Sequence, residues 1–128
     1  MRHVLRIQDN RGRGPFKPGM SSRWADATGN ATLPPMFEEF GWECVNELQK
    51  RIDRYGGHCG CAVADRAVLD RWFTPAEQSR LRALGYQIVQ IGVDLIVRES
   101  ANQIVFWRLL PLKWNVIVIP WAAAATPT

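Results

Sequence analysis

The sequence predicts a single α/β domain of the α+β type, with a mixed, mostly antiparallel sheet of about five strands and two or three helices. The chain has 128 residues, of which 47% are hydrophobic and 22% charged, which is typical of one globular domain. Short strand-like runs alternate with segments of helical period, and glycines and prolines separate them. We therefore expect residues 1–121 to form the domain and residues 122–128, which lack packing groups, to be a frayed tail.

Five segments have the composition of strands. They are short, they contain apolar, often β-branched residues, and turn-forming residues bound most of them. The predicted strands cover residues 3–8, 58–63, 86–93, 103–109 and 113–119.

Two segments are predicted to be helical on periodicity and capping. Over residues 35–54, apolar residues recur on one face, and acidic residues precede basic ones, as the helix dipole favours. Asp65 has the side chain of an N-cap and precedes a short helix over residues 66–72.

A third helix is predicted from its first turn. Thr74 is its expected cap, Pro75 occupies the first helical position, and Glu77 stands where a capping box requires an acid. The helix is expected to end at Leu84, before a glycine.

Residues 10–35 are predicted to form a long basic loop, because glycine and proline are dense there. The net charge is +4 and the pI about 9.3, and the first 24 residues carry six basic side chains against Asp9 alone. Such a field attracts phosphates, nucleic acid or an acidic protein surface; a solvated, mildly basic surface is the alternative. Exposed Trp beside Arg is typical of interface hot spots. The residues predicted to contact a partner are Arg11, Arg13, Lys17, Arg23 and Trp24.

Cys44, His58, Cys59 and Cys61 are the candidate metal ligands. Two cysteines one residue apart share a strand face, however, whereas structural zinc sites use wider pairs. Buried free cysteine also behaves as a small hydrophobe. We therefore predict no metal site and no cofactor in the main hypothesis.

Cysteine usage and hydropathy indicate the compartment. An odd number of cysteines argues against a disulfide-stapled secreted domain. No apolar segment of signal-peptide type follows Arg2, and no apolar run is long enough to cross a bilayer. A cytoplasmic protein without membrane contact is expected.

Most of residues 3–112 resembles a family of small phage and prophage proteins with no established activity. The segments that carry the resemblance are Leu5-Arg-Ile-Gln-Asp9, Gly12-Arg-Gly-Pro-Phe16, Gly60-Cys61, Leu69-Asp-Arg-Trp-Phe73, Leu84-Gly-Tyr86 and Asn102-Gln-Ile-Val-Phe106. Phage ancestry, small size and a basic, aromatic-containing surface suggest a protein that binds and inhibits a host protein, for example a defence complex in the manner of anti-CRISPR proteins. The expected partner is a host protein with an acidic surface, and nucleic acid remains open.

The order of elements also resembles that of small ADP-ribosyltransferases. In that family a first-strand Arg or His holds NAD, a second-strand Ser or Tyr supports it, and a later Glu is catalytic. The resemblance implies that Arg6 binds NAD and that Glu99 or Gln103 lies at the reacting centre. The segment at residues 62–65 lacks the Ser or Tyr, and Gln103 stands where the family has Glu. A neutral amide cannot supply the charge that such a reaction needs.

Overall fold

The computed structural model describes residues 2–15 and 39–121 of the chain. Within these ranges it contains six strands and three helices. In chain order they are β1 (Arg2–Gln8), α1 (Trp42–Tyr55), β2 (His58–Ala62), α2 (Arg66–Trp72), α3 (Pro75–Ala83), β3 (Gln87–Val93), β4 (Leu95–Glu99), β5 (Ile104–Arg108) and β6 (Val116–Ile119).

The strands form two antiparallel three-stranded sheets. The first has the order β1-β3-β6 and the second the order β2-β5-β4. Leu5 and Val63 exchange two backbone hydrogen bonds of 2.9 and 2.8 Å, which join β1 to the end of β2. On the other side, only Asp94 separates β3 from β4, so one stretch of chain passes from the first sheet into the second.

Three hydrophobic clusters hold the layers together. The cluster between the sheets consists of Val4, Ala62, Val89, Ile91, Val93, Ile104 and Phe106. The opposite face of the first sheet packs on α2 and α3 through Ile7, Ile88, Leu69 and Leu81. The opposite face of the second sheet packs on α1, where Cys44 and Leu48 meet Val105. The layers are therefore helices, sheet, sheet and helix.

The predicted fold class is confirmed, and two details differ. The strands are divided between two sheets instead of one, and β4 was not predicted. A bulge between Ile96 and Arg98 breaks the pairing of β4 with β5, and with it the alternation by which a strand is recognised in sequence. The segment also follows Asp94 without the Gly or Pro that usually marks a new element.

The predicted helix over residues 35–54 is interrupted at Gly41: Glu39 and Phe40 are helical, and α1 follows from Trp42. Gly41 precedes it with φ of 80°, a conformation that only glycine adopts without strain, and the helix starts at Trp42. Residues 35–38 of the predicted helix, residues 16–35 of the predicted loop and the predicted tail at residues 122–128 lie outside the described residues.

Both predicted caps are present. The carboxylate of Asp65 accepts the Val68 N–H at 3.1 Å. At α3, Thr74 Oγ1 accepts the Glu77 N–H at 3.2 Å, and Glu77 Oε1 accepts the Thr74 N–H at 2.9 Å. Two of the donors that a helix start leaves unpaired are thus satisfied.

Replacing Thr74 tests this capping box. We expect Thr74→Ala to lower the free energy of unfolding by about 1 kcal/mol, because the Glu77 N–H loses its acceptor. Thr74→Ser retains the hydroxyl and should stay close to wild type. Urea denaturation of the three proteins measures the difference, and equal losses in both variants would contradict the assignment.

Candidate functional site

The start of the predicted basic loop is folded around a buried acid. Asp9 Oδ1 accepts the backbone N–H groups of Arg11 and Arg13, both at 2.9 Å. Asp9 Oδ2 lies 3.4 Å from Nε of Arg13. Arg13 is therefore paired within the chain, whereas the Arg11 side chain is exposed. The other residues predicted to bind a partner, Lys17, Arg23 and Trp24, lie outside the described residues, so this surface stays a prediction.

Arg6, predicted to bind NAD, is only 6% exposed and is engaged by the chain itself. Its Nη1 donates to the Cys61 carbonyl at 2.7 Å, its Nη2 to the Gly12 carbonyl at 2.9 Å, and its Nε to Oε1 of Gln8 at 3.0 Å. The guanidinium thus connects β1 to β2 and to the turn at residues 9–13.

Two glycines and one ring complete the pocket of Arg6. A Cβ on Gly60 would lie 2.9 Å from Nη1 of Arg6, and one on Gly14 would lie 3.3 Å from Nη2. The Phe106 ring centroid is 6.0 Å from the guanidinium carbon. Burial lowers the pKa of Arg6, while Cys61, Cys59 and Asp9 act in the opposite direction.

Glu99, a candidate catalytic residue, pairs with Arg2 and not with Arg6. Both nitrogens at the end of Arg2 donate to the carboxylate at 2.5 Å, and this hydrogen bonding holds the pKa of Glu99 below its usual value. Arg6 lies four residues further along β1, which is about 13 Å at the rise of a strand. The structure does not bring Arg6 and Glu99 together.

Gln103, the other candidate, anchors the segment before α1. Its Nε2 donates to Oε1 of Glu39 at 2.8 Å, and Nδ2 of Asn102 donates to Oε2 at 3.0 Å. Burial raises the pKa of Glu39, but hydrogen bonds from Ser100, Gln103 and Asn102 outweigh it, so that the pKa is lowered. The buried amide of Gln103 is therefore a hydrogen-bond donor to a carboxylate of the same chain.

The three cysteines pack together between β2 and α1. Cys59 and Cys61 share one face of β2, as predicted, and both contact the cluster that contains Cys44. Burial raises the pKa of the Cys61 thiol to about 12, although Arg6 lowers it. Within residues 2–15 and 39–121, no group of three or more His, Cys, Asp or Glu side chains is placed to hold a metal ion.

A basic and aromatic surface lies at the end of α1, where the sequence analysis did not place one. We call Arg51, Arg54, Tyr55 and Trp107 the α1-end surface. The guanidinium carbon of Arg51 is 5.4 Å from the ring centroid of Tyr55 and 5.4 Å from that of Trp107. The guanidinium carbon of Arg54 is 5.2 Å from the Tyr55 ring. All three distances are within the range of cation–π attraction.

The turn after α1 positions the Trp107 ring. Trp107 Nε1 donates to the Gly56 carbonyl at 2.9 Å. Gly57 has φ of 84°, and a Cβ there would lie 2.7 Å from Nε1 of Trp107. The Trp107 and Tyr55 rings meet edge to face, with centroids 6.5 Å apart. Glycine at position 57 is therefore required for the ring to approach the helix end.

The acids of α1 form no salt bridge with this surface. Glu47 pairs with Arg98 at 2.9 Å, and Asp53 accepts from Nε2 of Gln49 at 2.9 Å. Among the described residues, no salt bridge reaches Arg51 or Arg54. The spacing of Arg51 and Tyr55 along the helix is visible in the sequence, but the approach of Trp107 depends on the pairing of β5 with β2.

The fold and this surface define a small α+β protein with a preformed cationic and aromatic face. Residues 1–109 match the family model described as Bacteriophage T4 Y00F protein, and the chain belongs to this family. The predicted resemblance to small phage proteins is thereby confirmed.

No curated protein and no solved structure matches the chain. The resemblance to ADP-ribosyltransferases therefore gains no support. In the described part of the chain, no helix is long and apolar enough to cross a lipid bilayer.

The role of Arg6 can be tested with a variant that keeps its charge. Lysine carries one nitrogen and cannot reach three separate acceptors, so we expect Arg6→Lys to lower the free energy of unfolding by about 2 kcal/mol or more. Arg11→Lys, on an exposed side chain, should change it by less than about 0.5 kcal/mol. Chemical denaturation of both variants gives the comparison, and an Arg6→Lys variant as stable as wild type would overturn the structural role.

Gln103→Glu tests the contact with Glu39. Two carboxylates would then face each other, which raises the pKa of at least one of them, and we expect a loss of about 1–3 kcal/mol at neutral pH. A carboxyl whose pKa is raised in the folded state stabilises the fold fully below its unfolded pKa of about 4.5. That stabilisation is lost as the pH rises through the folded pKa. The stability gap to wild type should therefore shrink as the pH is lowered towards 4.

Gln103→Met is the control, because it is neutral and similar in size. Its stability gap should also shrink at low pH, because the hydrogen bond that it removes stabilises the ionised form of Glu39, but it should shrink less than that of Gln103→Glu, which adds a repulsive charge. If the stability of the two variants depended on pH in the same way, this would contradict a direct contact between the side chain at position 103 and Glu39.

Proposed function

We propose that this phage-family protein binds and inhibits a host protein inside the infected bacterium, and that the α1-end surface contacts an acidic face of that protein. We expect the target to be a component of a bacterial defence complex. The observation that carries the proposal is the pair of guanidiniums, Arg51 and Arg54, that lie against aromatic rings and have no acidic partner among the described residues.

Preorganisation supports a role in binding. Arg51 lies against two rings, so less side-chain entropy is lost when it meets a carboxylate. Tyr55 is 52% exposed and offers a large contact area beside the charges. Arg, Tyr and Trp are the residue types enriched in interface hot spots.

The geometry favours a protein partner over a nucleic acid. Base stacking requires an open ring face, whereas Trp107 is half-buried, with its N–H bonded to Gly56 and Arg51 beside its ring. A bidentate contact from arginine to a carboxylate needs only the exposed edge of the guanidinium.

No observation favours the ADP-ribosyltransferase alternative or a bound NAD. Arg6 is buried and donates to three acceptors of the chain, Glu99 is paired with Arg2, and Gln103 with Glu39. We therefore do not carry it as a second function.

A quantitative pull-down from a bacterial host lysate, read by mass spectrometry, tests the proposal. We expect Arg54→Glu to reduce the captured partner about tenfold or more, and Arg51→Glu with Arg54→Glu to abolish capture, because a repulsive charge replaces an attractive one. Arg82→Glu is the matched control: Arg82 is also an exposed arginine in the last turn of a helix, α3, and the change in net charge is the same.

Two further arms separate the remaining explanations. Arg11→Glu with Arg13→Glu tests the loop surface predicted from sequence. Nuclease treatment of the lysate tests for nucleic acid. Retention of the partner by the α1-end variants, or its loss on nuclease treatment alone, would overturn the proposal. The captured partner is then purified, and inhibition of its activity is measured with wild type and with the variant that combines Arg51→Glu and Arg54→Glu.

A further inference from the structure

Strand β6 forms an edge of the first sheet, and its sequence is apolar throughout. It reads Val116-Ile-Val-Ile119 and pairs on one side with β3. In the described part of the chain, no strand pairs with its other side. Ile117 is 58% and Val118 53% exposed. Edge strands are normally protected by a charge, a bulge, a proline or a very short length; β6 carries no charge and no bulge, and its four residues are followed by Pro120.

The register shows which backbone groups of β6 are unpaired. Leu5 exchanges its hydrogen bonds with Val63, so in the pairing of β1 with β3 the Leu5–Gln90 pair is not hydrogen-bonded. Because the direction alternates along a strand, Gln90 directs its N–H and C=O towards β6 and bonds Ile117. The N–H and C=O groups of Val116 and Val118 therefore point outward.

Pro120 limits this edge. It lies two residues after Val118, so its backbone groups also point outward. Proline has no N–H to donate, however, and the Pro120 carbonyl accepts from Nη1 of Arg66 at 3.2 Å. The residues that offer both an outward N–H and an outward C=O are therefore Val116 and Val118.

We propose that β6 pairs with β6 of a second copy of this chain, antiparallel, about a two-fold axis at Ile117. In this register Val116 of each copy forms a hydrogen-bonded pair with Val118 of the other. The four bonds use every outward N–H and C=O group of Val116 and Val118 in both copies. The resulting sheet has six strands, and the two copies present the same faces on each side, as a two-fold axis normal to the sheet requires.

Other features of the edge fit a second copy. A register centred on Val118 would place Val116 opposite Pro120, which has no N–H, so the Val116 carbonyl of each copy would be left without a donor. The strand carries no charge, so the two-fold axis brings no like charges together. Self-complementarity of donors, acceptors and side chains favours a second copy over an unrelated peptide.

Sedimentation or light scattering across a range of protein concentrations tests this proposal. Wild type should show twice the chain mass of 14.5 kDa. Val118→Pro removes an outward N–H without touching a bond to β3, and it should give the monomer mass. Val118→Thr keeps the N–H and the β-branched shape, so it should remain dimeric. Thermal denaturation shows whether each variant is folded. A wild-type monomer at every concentration would overturn the proposal.

Cysteine cross-linking tests the register independently. Ile117 faces Ile117 of the other copy in a pair that is not hydrogen-bonded, with Cα atoms about 4.5 Å apart, which suits a disulfide. Ile117→Cys should therefore yield a covalent dimer under mild oxidation. Val118→Cys places the two Cα atoms about 9 Å apart, beyond bridging distance. Wild type controls for the three native cysteines. Equal cross-linking of both variants, or of wild type, would contradict the register.

Discussion

The guanidinium of Arg6 is the interaction on which the two-sheet arrangement depends. A charged group taken out of water costs several kcal/mol unless hydrogen bonds replace its hydration. Here the replacements come from β1, β2 and the turn at residues 9–13, through Gln8, Cys61 and Gly12. The two sheets and the turn must therefore all be in place before the charge is solvated by protein. This makes Arg6 a residue that specifies one arrangement of the strands.

Other buried polar side chains extend this constraint towards the loop before β6. Nε2 of Gln8 donates to the Leu112 carbonyl at 2.9 Å, and Arg108 donates to the Trp114 carbonyl. Gly12 also approaches this loop, since a Cβ there would lie 2.9 Å from Cβ of Leu112. Each of these groups needs the loop in its native position to be satisfied. Polar groups thus fix the loop that delivers β6 to the sheet edge, while apolar contacts supply the bulk of the stability.

Local signals were predicted correctly, because they depend on neighbours in the chain. The caps at Asp65 and Thr74 each follow from a side chain that accepts an N–H three residues later. The role of Arg6 was not predicted, because nothing near it in the sequence shows that Cys61 and Gly12 will provide acceptors. Strand β4 was missed for a similar reason: its bulge is a property of the pairing with β5.

The same distinction explains the candidate surface. A count of charges near the start of the chain suggested a cationic face there, but pairing depends on three-dimensional neighbours. Of the four arginines described in that region, Arg2 pairs with Glu99, Arg6 is buried, Arg13 pairs with Asp9, and Arg11 alone is exposed without a bond from its side chain within the described residues.

At the end of α1 the opposite holds. Its two arginines lie close in sequence to Asp53 and Glu47, but those acids contact Gln49 and Arg98 instead. The aromatic rings then hold the guanidiniums without neutralising them, because a cation–π contact leaves the charge and the donor edge intact. Charge available for recognition is therefore determined by what each side chain contacts, and the α1 end retains it where the start of the chain largely does not.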